Sequence, residues 1–116
     1  MQQMMNGYDR EEAIAFMKGR IDRKAHAALA DQIDSLLGQC IDADMDFMFK
    51  TGVLDAEGNG GDAYYEDDDA IEYMVEAIVK SNKLTPEQAV KVASLVDDYM
   101  DLQQDYLESK GLVEWE

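Results

Sequence analysis

Apolar residues return every three or four positions along this chain and hardly anywhere every two, a periodicity that favours helices with one buried face over strands. The longest run is Leu29, Ile33, Leu36, Leu37, Cys40, Ile41, Met45 and Met48. It predicts a helix from about residue 25 to residue 50, with Thr51-Gly52 as its stop. Gly38 interrupts that run at about 1 kcal/mol relative to alanine, which packing absorbs or which marks a close helix crossing. Frequent Ala, Leu, Met, Glu, Gln and Lys and a single proline point the same way, so the chain reads as all-α.

Three further segments carry helix signals. The first opens near Asp9, with Glu11 and Glu12 in its first turn, and places Ala13, Ile14, Met17 and Ile21 on one face. Gly19 and Asp22 mark either a break or a bend before the long helix. Another helix starts at Asp67 to Asp69, carries Ile71, Met74, Val75, Ile78 and Val79, and ends near Ser81-Asn82. The last has the strongest start: Thr85-Pro86-Glu87-Gln88 reads as N-cap, N1, N2 and N3 of a capping box. Val92, Leu95, Tyr99, Leu102 and Tyr106 follow it, and Lys110-Gly111 closes it. The expected architecture is a small antiparallel helical bundle of three to four helices, with one long acidic, glycine-containing loop from Val53 to Tyr65. At 116 residues the whole chain, 1–116, makes one domain. Residues 1–8 are expected to form a flexible tail, and Leu112 to Trp115 carries enough apolar area to fold back onto the bundle.

Several chemistries lack their residues. Cys40 is the only cysteine, so one chain can form neither a disulfide nor a cysteine zinc site, and its place on the apolar stripe makes it a core residue. His26 is the only histidine and has no glutamate three positions before it, which removes a Glu-x-x-His di-iron centre. No serine or cysteine stands at a readable spacing from it, so it reads as a surface or packing residue. No phosphate-binding glycine motif is present, and the glycines at 58, 60 and 61 have acidic neighbours. Nothing argues for an enzyme, and no cofactor is expected. No stretch approaches the roughly 20 apolar residues that span a bilayer. Met1 to Arg10 lacks the pattern of a secretory signal, so a cytoplasmic location is expected.

Charge is the strongest functional signal: 26 acidic against 10 basic residues, or −16. Residues 1–30 carry five basic and four acidic groups, residues 31–69 one and twelve, and residues 70–116 four and ten. Such a field repels phosphates and anionic lipid and attracts basic protein surfaces, so neither direct nucleic-acid binding nor membrane binding is expected. The partner-binding candidates are Asp42, Asp46, Asp62, Tyr64, Tyr65, Glu66, Asp67, Asp68 and Asp69, where tyrosines add contact area to the carboxylates. Tyr73 lies close by, and at least one of Tyr64, Tyr65 and Tyr73 is expected in the core. Asp42 and Asp46 share a helix face; Asp44 points elsewhere, and the trio reads as solvated helix surface. Asp97, Asp101, Asp105 and Glu108 form a carboxylate ridge along the last helix, at a local cost of a few tenths of a kcal/mol per pair. Arg10, Lys18, Arg20, Arg23 and Lys24 make a basic N-terminal element that either packs against the acidic field or turns away from it.

Asp55, Glu57, Asn59, the carbonyl of Gly61 and Glu66 fall at the first, third, fifth, seventh and twelfth positions of a segment with Gly60 sixth, and in this the segment resembles an EF-hand calcium loop. Glu57 is longer than the usual third ligand, and Asp62 stands where such loops carry an apolar residue. The resemblance implies a weak calcium site at Asp55, Glu57, Asn59 and Glu66. The function expected first is a non-enzymatic acidic module that covers a basic surface of a partner protein, such as a nucleic-acid-handling enzyme. Immunity proteins, antitoxins and anti-defence nucleic-acid mimics are of this kind. The alternatives are a calcium-binding module and an oligomerisation or scaffold domain, a homodimer through the last helix included.

Overall fold

Asp9 starts the first helix as its side chain accepts the Glu12 amide at 3.1 Å, and Lys18 ends it, each charge at the helix end whose dipole it suits. The computed structural model of the protein describes residues 4–61 and 63–112. In these, α1 (Arg10–Lys18) is followed by a 3-10 helix (Ala27–Gln32), then α2 (Ile33–Thr51), α3 (Asp67–Asn82) and α4 (Pro86–Ser109). No strand is present among the described residues. One isolated bridge joins Leu54 and Gly60.

The break near Gly19 is real, and α2 begins later than its apolar run suggests. Asp22 folds back to accept the amides of Lys24 and Ala25 at 3.0 and 3.2 Å, a local turn that competes with helix. His26 and Leu29 then both face inward, and residues three apart share a face in a 3-10 helix. The α-helical form starts only at Ile33. Its far end is Gly52, in the left-handed conformation at φ 84° that a glycine adopts without strain.

Each helix packs on the next, and α4 returns to α1, so the four close around one core. Arg10 meets Asp42 and Lys18 meets Asp34, so α1 and α2 run antiparallel; Tyr73 meets Asp46 and Asn82 meets Gln39, so α2 and α3 do too. Gly38 lies where a side chain would meet the Arg10 guanidinium, which crosses α2 there to reach Asp42. The core holds Met17, Ile33, Leu37, Cys40, Ile41, Met45, Met74, Ile78, Val92, Leu95, Val96 and Tyr99. Cys40 is buried as its stripe position requires, and burial raises its thiol pKa.

Residues 4–8 are packed in place of the tail expected there. Tyr8 is buried edge-on to Tyr106, Met4 and Met5 lie on the core, and the Asn6 amide donates to Gly58 O at 2.9 Å. Leu112 folds back, its amide on Leu107 O at 2.9 Å and its side chain on the core; Val113 to Trp115 lie outside the described residues. No helix among the described residues is long and apolar enough to cross a membrane.

The capping box of α4 forms in full: Thr85 Oγ1 accepts the Gln88 amide, and Gln88 Oε1 accepts the Thr85 amide. Replacing the cap hydroxyl leaves the Gln88 amide to water, so Thr85→Ala is expected to cost about 1 kcal/mol in urea unfolding, with an unchanged denaturant slope.

Candidate functional site

The most unusual side chain in the protein is Asp44. Sequence spacing assigns it to solvated helix surface, yet it is only 1% exposed. The reason is its neighbours on α2: Cys40, Ile41 and Met48, at −4, −3 and +4, are all buried, and a residue between them shares their face. Its carboxyl is met by three donors. Tyr65 Oη donates to Oδ1 at 2.7 Å, while Tyr99 Oη at 2.8 Å and Gln103 Nε2 at 3.4 Å donate to Oδ2. Tyr8 Oη donates to Gln103 Oε1 at 2.6 Å and so orients that amide. The N-terminal segment, α2, the α2–α3 connection and α4 therefore meet at one carboxyl. No ion pair among the described residues includes it. Burial is the largest influence on its pKa and raises it; the three hydrogen bonds oppose that rise, and Asp67 adds to it.

Asp42 and Asp46 do share a face, and both line the α2 wall of a shallow groove between α2 and α3 of about 410 Å³ lined also by Gln39, Ala43, Tyr73 and Ala77. Both carry internal cations. Arg10 binds Asp42 through two nitrogens, Nε at 2.8 Å and Nη2 at 3.0 Å. Lys50 lies 3.1 Å from Asp46, whose carboxyl also accepts the Tyr73 hydroxyl. That hydroxyl, and after it Lys50, lowers the Asp46 pKa. Of the tyrosines, Tyr65 turns inward to Asp44, Tyr73 packs on Phe47, and Tyr64 is 84% exposed. Glu66, Asp67, Asp68 and Asp69 lie on the surface at the start of α3; Asp62 lies outside the described residues.

The basic N-terminal element packs against α2. Lys18 and Arg23 both reach Asp34, Arg10 takes Asp42, and Arg20 stacks on Phe16. These ion pairs are half-exposed, so each contributes no more than about 1 kcal/mol, but together they use the cations on one side of the molecule. On the other side, Asp68, Glu72 and Glu76 on α3 and Asp97, Asp101, Asp105 and Glu108 on α4 are exposed and take part in none of the ion pairs among the described residues.

The segment compared above with a calcium loop is shaped by its own backbone. Asp55 accepts the amides of Glu57 and Asn59, both at 3.0 Å, and its amide donates to Asn59 O at 2.8 Å, closing a tight turn. Asn59 Oδ1 accepts from Asn6. No group of three or more His, Cys, Asp or Glu among the described residues could hold a metal ion. His26 is a packing residue: 4% exposed, it pairs through Nε2 with Asp98 of α4. The last helix's seam residues Val92, Leu95, Tyr99 and Tyr106 are buried in the chain's own core, not on a face open to a second copy.

Comparison with protein-family models, with curated proteins and with solved structures finds no match.

The Asp44 site sets two expectations. Asp44→Asn keeps an acceptor for Tyr99 and Gln103, and its amide can donate to Tyr65, whereas Asp44→Ala leaves buried donors without acceptors; the alanine variant should be less stable than the asparagine variant by about 1–3 kcal/mol. The second concerns pH. The folded pKa of Asp44 is raised above its ordinary 3.8. Between those two values the folded chain keeps a proton that the unfolded chain has released. Unfolding free energy should therefore fall as pH rises through that window and level off above it, and Asp44→Asn should remove this component.

Proposed function

We propose that the protein is a non-enzymatic acidic module that covers a basic surface on a partner protein, of the kind that a nucleic-acid-handling enzyme presents to phosphates. The observation that carries this reading is the segregation of charge. Cations of α1 and the segment after it, with Lys50 of α2, pair with Asp34, Asp42 and Asp46, while α3 and α4 each expose a row of carboxylates that joins no ion pair among the described residues, with Lys80 as the one basic residue at the end of the α3 row. Within each row, Asp68, Glu72 and Glu76 or Asp97, Asp101 and Asp105, the residues are four apart, a rise of about 6 Å along the helix. Neighbouring phosphates on a nucleic-acid strand repeat on a similar scale, so a groove built for phosphates would meet comparable charge spacing. The acidic start of α3, Glu66 to Asp69, with the exposed Tyr64 beside it, extends the surface and supplies an aromatic contact.

Like charges at this spacing cost the isolated helices a few tenths of a kcal/mol per pair. A basic partner removes that cost and is steered by the field, so the expected signature is fast, strongly salt-dependent association. Capture from native extract at low salt, followed by titration of the purified partner, tests it. The partner should be basic, compete with duplex DNA or RNA, and bind at least tenfold more weakly to the Asp97→Asn/Asp101→Asn/Asp105→Asn variant or the Asp68→Asn/Glu72→Gln/Glu76→Gln variant. Capture of nothing, or a partner whose affinity ignores both salt and these substitutions, removes the proposal.

A further inference from the structure

We propose that Asp44 is a proton-binding site that locks the α2–α3 connection: with a proton on its carboxyl, Tyr65 and the start of α3 are held against the core, and loss of the proton loosens them. The inference goes beyond the partner-binding reading and does not depend on it.

The arrangement around Asp44 is built for both protonation states, and they differ in strain. Tyr99 and Gln103 approach from the middle of a long helix and are themselves buried, so they cannot withdraw without opening the core. Tyr65 is different. It lies outside any helix and, unlike the other two donors to Asp44, is only half-buried. A second acceptor, Met100 Sδ, lies 3.6 Å from its hydroxyl. When Asp44 holds a proton on Oδ1, that O–H donates to the Tyr65 oxygen and the Tyr65 hydrogen turns to Met100 Sδ. Tyr99 and Gln103 continue to donate to Oδ2, and no donor lacks an acceptor.

When Asp44 is ionised its hydrogen bonds remain, but the charge is buried with no cation. The titratable groups facing it supply none: Cys40 from α2, Tyr99 from α4, Tyr8 beyond Gln103 from the N-terminal segment, and Tyr65 itself. Asp67, in the first turn of α3, repels it. Outward movement of Tyr65 and the α3 start relieves both penalties, because water reaches the carboxylate and Asp67 recedes. Burial raises the Asp44 pKa in the closed form; opening lowers it toward the ordinary range. By linkage, proton uptake favours closure and proton loss favours opening.

Hydrogen exchange and the Asp44 carboxyl 13C shift, followed across pH on the full chain, test the proposal. The amides of Ala63 and Ala70, bonded to Gly52 O at 3.2 Å and Glu66 O at 3.0 Å, report on the connection and the α3 start. Their protection should fall severalfold as pH rises, with the midpoint at which Asp44 titrates. In Asp44→Asn this dependence should vanish with protection left high. In Tyr65→Phe Asp44 should still titrate, but the two amides should no longer follow it. Protection that stays flat through the Asp44 titration, or that keeps its pH dependence in Tyr65→Phe or Asp44→Asn, overturns the proposal. Should Asp44→Asn fail to fold, the wild-type midpoints and Tyr65→Phe decide alone.

Discussion

One carboxyl group joins this protein's parts. Asp44 is buried at the centre of α2, and its three donors come from the α2–α3 connection and from α4, with the N-terminal segment added through Tyr8 and Gln103. Apolar packing alone leaves four helices free to shift by a turn, because leucine, methionine and valine contacts are directionless. A carboxyl that needs its donors at set distances admits one register. That specificity costs stability, since the group is out of water with no cation, and an apolar residue of similar size avoids the cost. Apolar and ionic contacts elsewhere must offset it.

The ionic contacts are concentrated on one side. Arg10 and Asp42 tie α1 to the middle of α2, Lys18 and Arg23 converge on Asp34 at its start, and Lys110 returns from beyond α4 to Glu12. In a chain of −16, cations placed as these are bring α1 and the segment after it onto α2 with little repulsion. The consequence falls on α3 and α4, whose exposed carboxylates Asp68, Glu72, Glu76, Asp97, Asp101, Asp105 and Glu108 join no ion pair among the described residues. Two unlike surfaces, one largely neutralised and one strongly negative, thus follow from the six basic residues that lie between Arg10 and Lys50 and the few that lie on α3 and α4.

Much of the fold was legible. The ends of α3 and α4 follow from carboxylates at an N-terminus and from the Thr85–Gln88 box, which are local signals read within a few residues. The start of α2 was not, because Ala25 to Gln32 contains good helix formers, and its 3-10 form goes with the Asp22 turn and with a contact from His26 to Asp98, 72 positions away. Asp44 was misplaced for another reason. Asp42, Asp44 and Asp46 look alike as a string, and the eye groups them, whereas the buried trio Cys40, Ile41 and Met48 around Asp44 carried the correct signal. Its partners at 65, 99 and 103 could not be read from spacing at all, since polar contacts across helices leave no periodicity. The same limit applies to Asp42, whose partner Arg10 lies on another helix, whereas Lys50 stands four residues after Asp46 on α2, a spacing the sequence does show; both cations turn candidate binding residues into partly satisfied ones.

The α2–α3 connection is held at two points of different character. Its outer turn is fastened by Asn6, on the carbonyl of Gly58 and the side chain of Asn59, and by the Asp55 carboxylate on the amides of Glu57 and Asn59. Its inner end is fastened by Tyr65 on Asp44. A change in the charge of Asp44 therefore acts at the inner end, next to the acidic run Glu66 to Asp69. A cation brought to Asp67 would offset the repulsion that Asp67 exerts on Asp44, lower the proton affinity of the buried carboxyl and release its proton. Linkage is reciprocal, so a proton on Asp44 would weaken the attraction for that cation by the same factor. The buried carboxyl and the acidic surface, separate in burial and in partners, are coupled through the single turn of helix that lies between them.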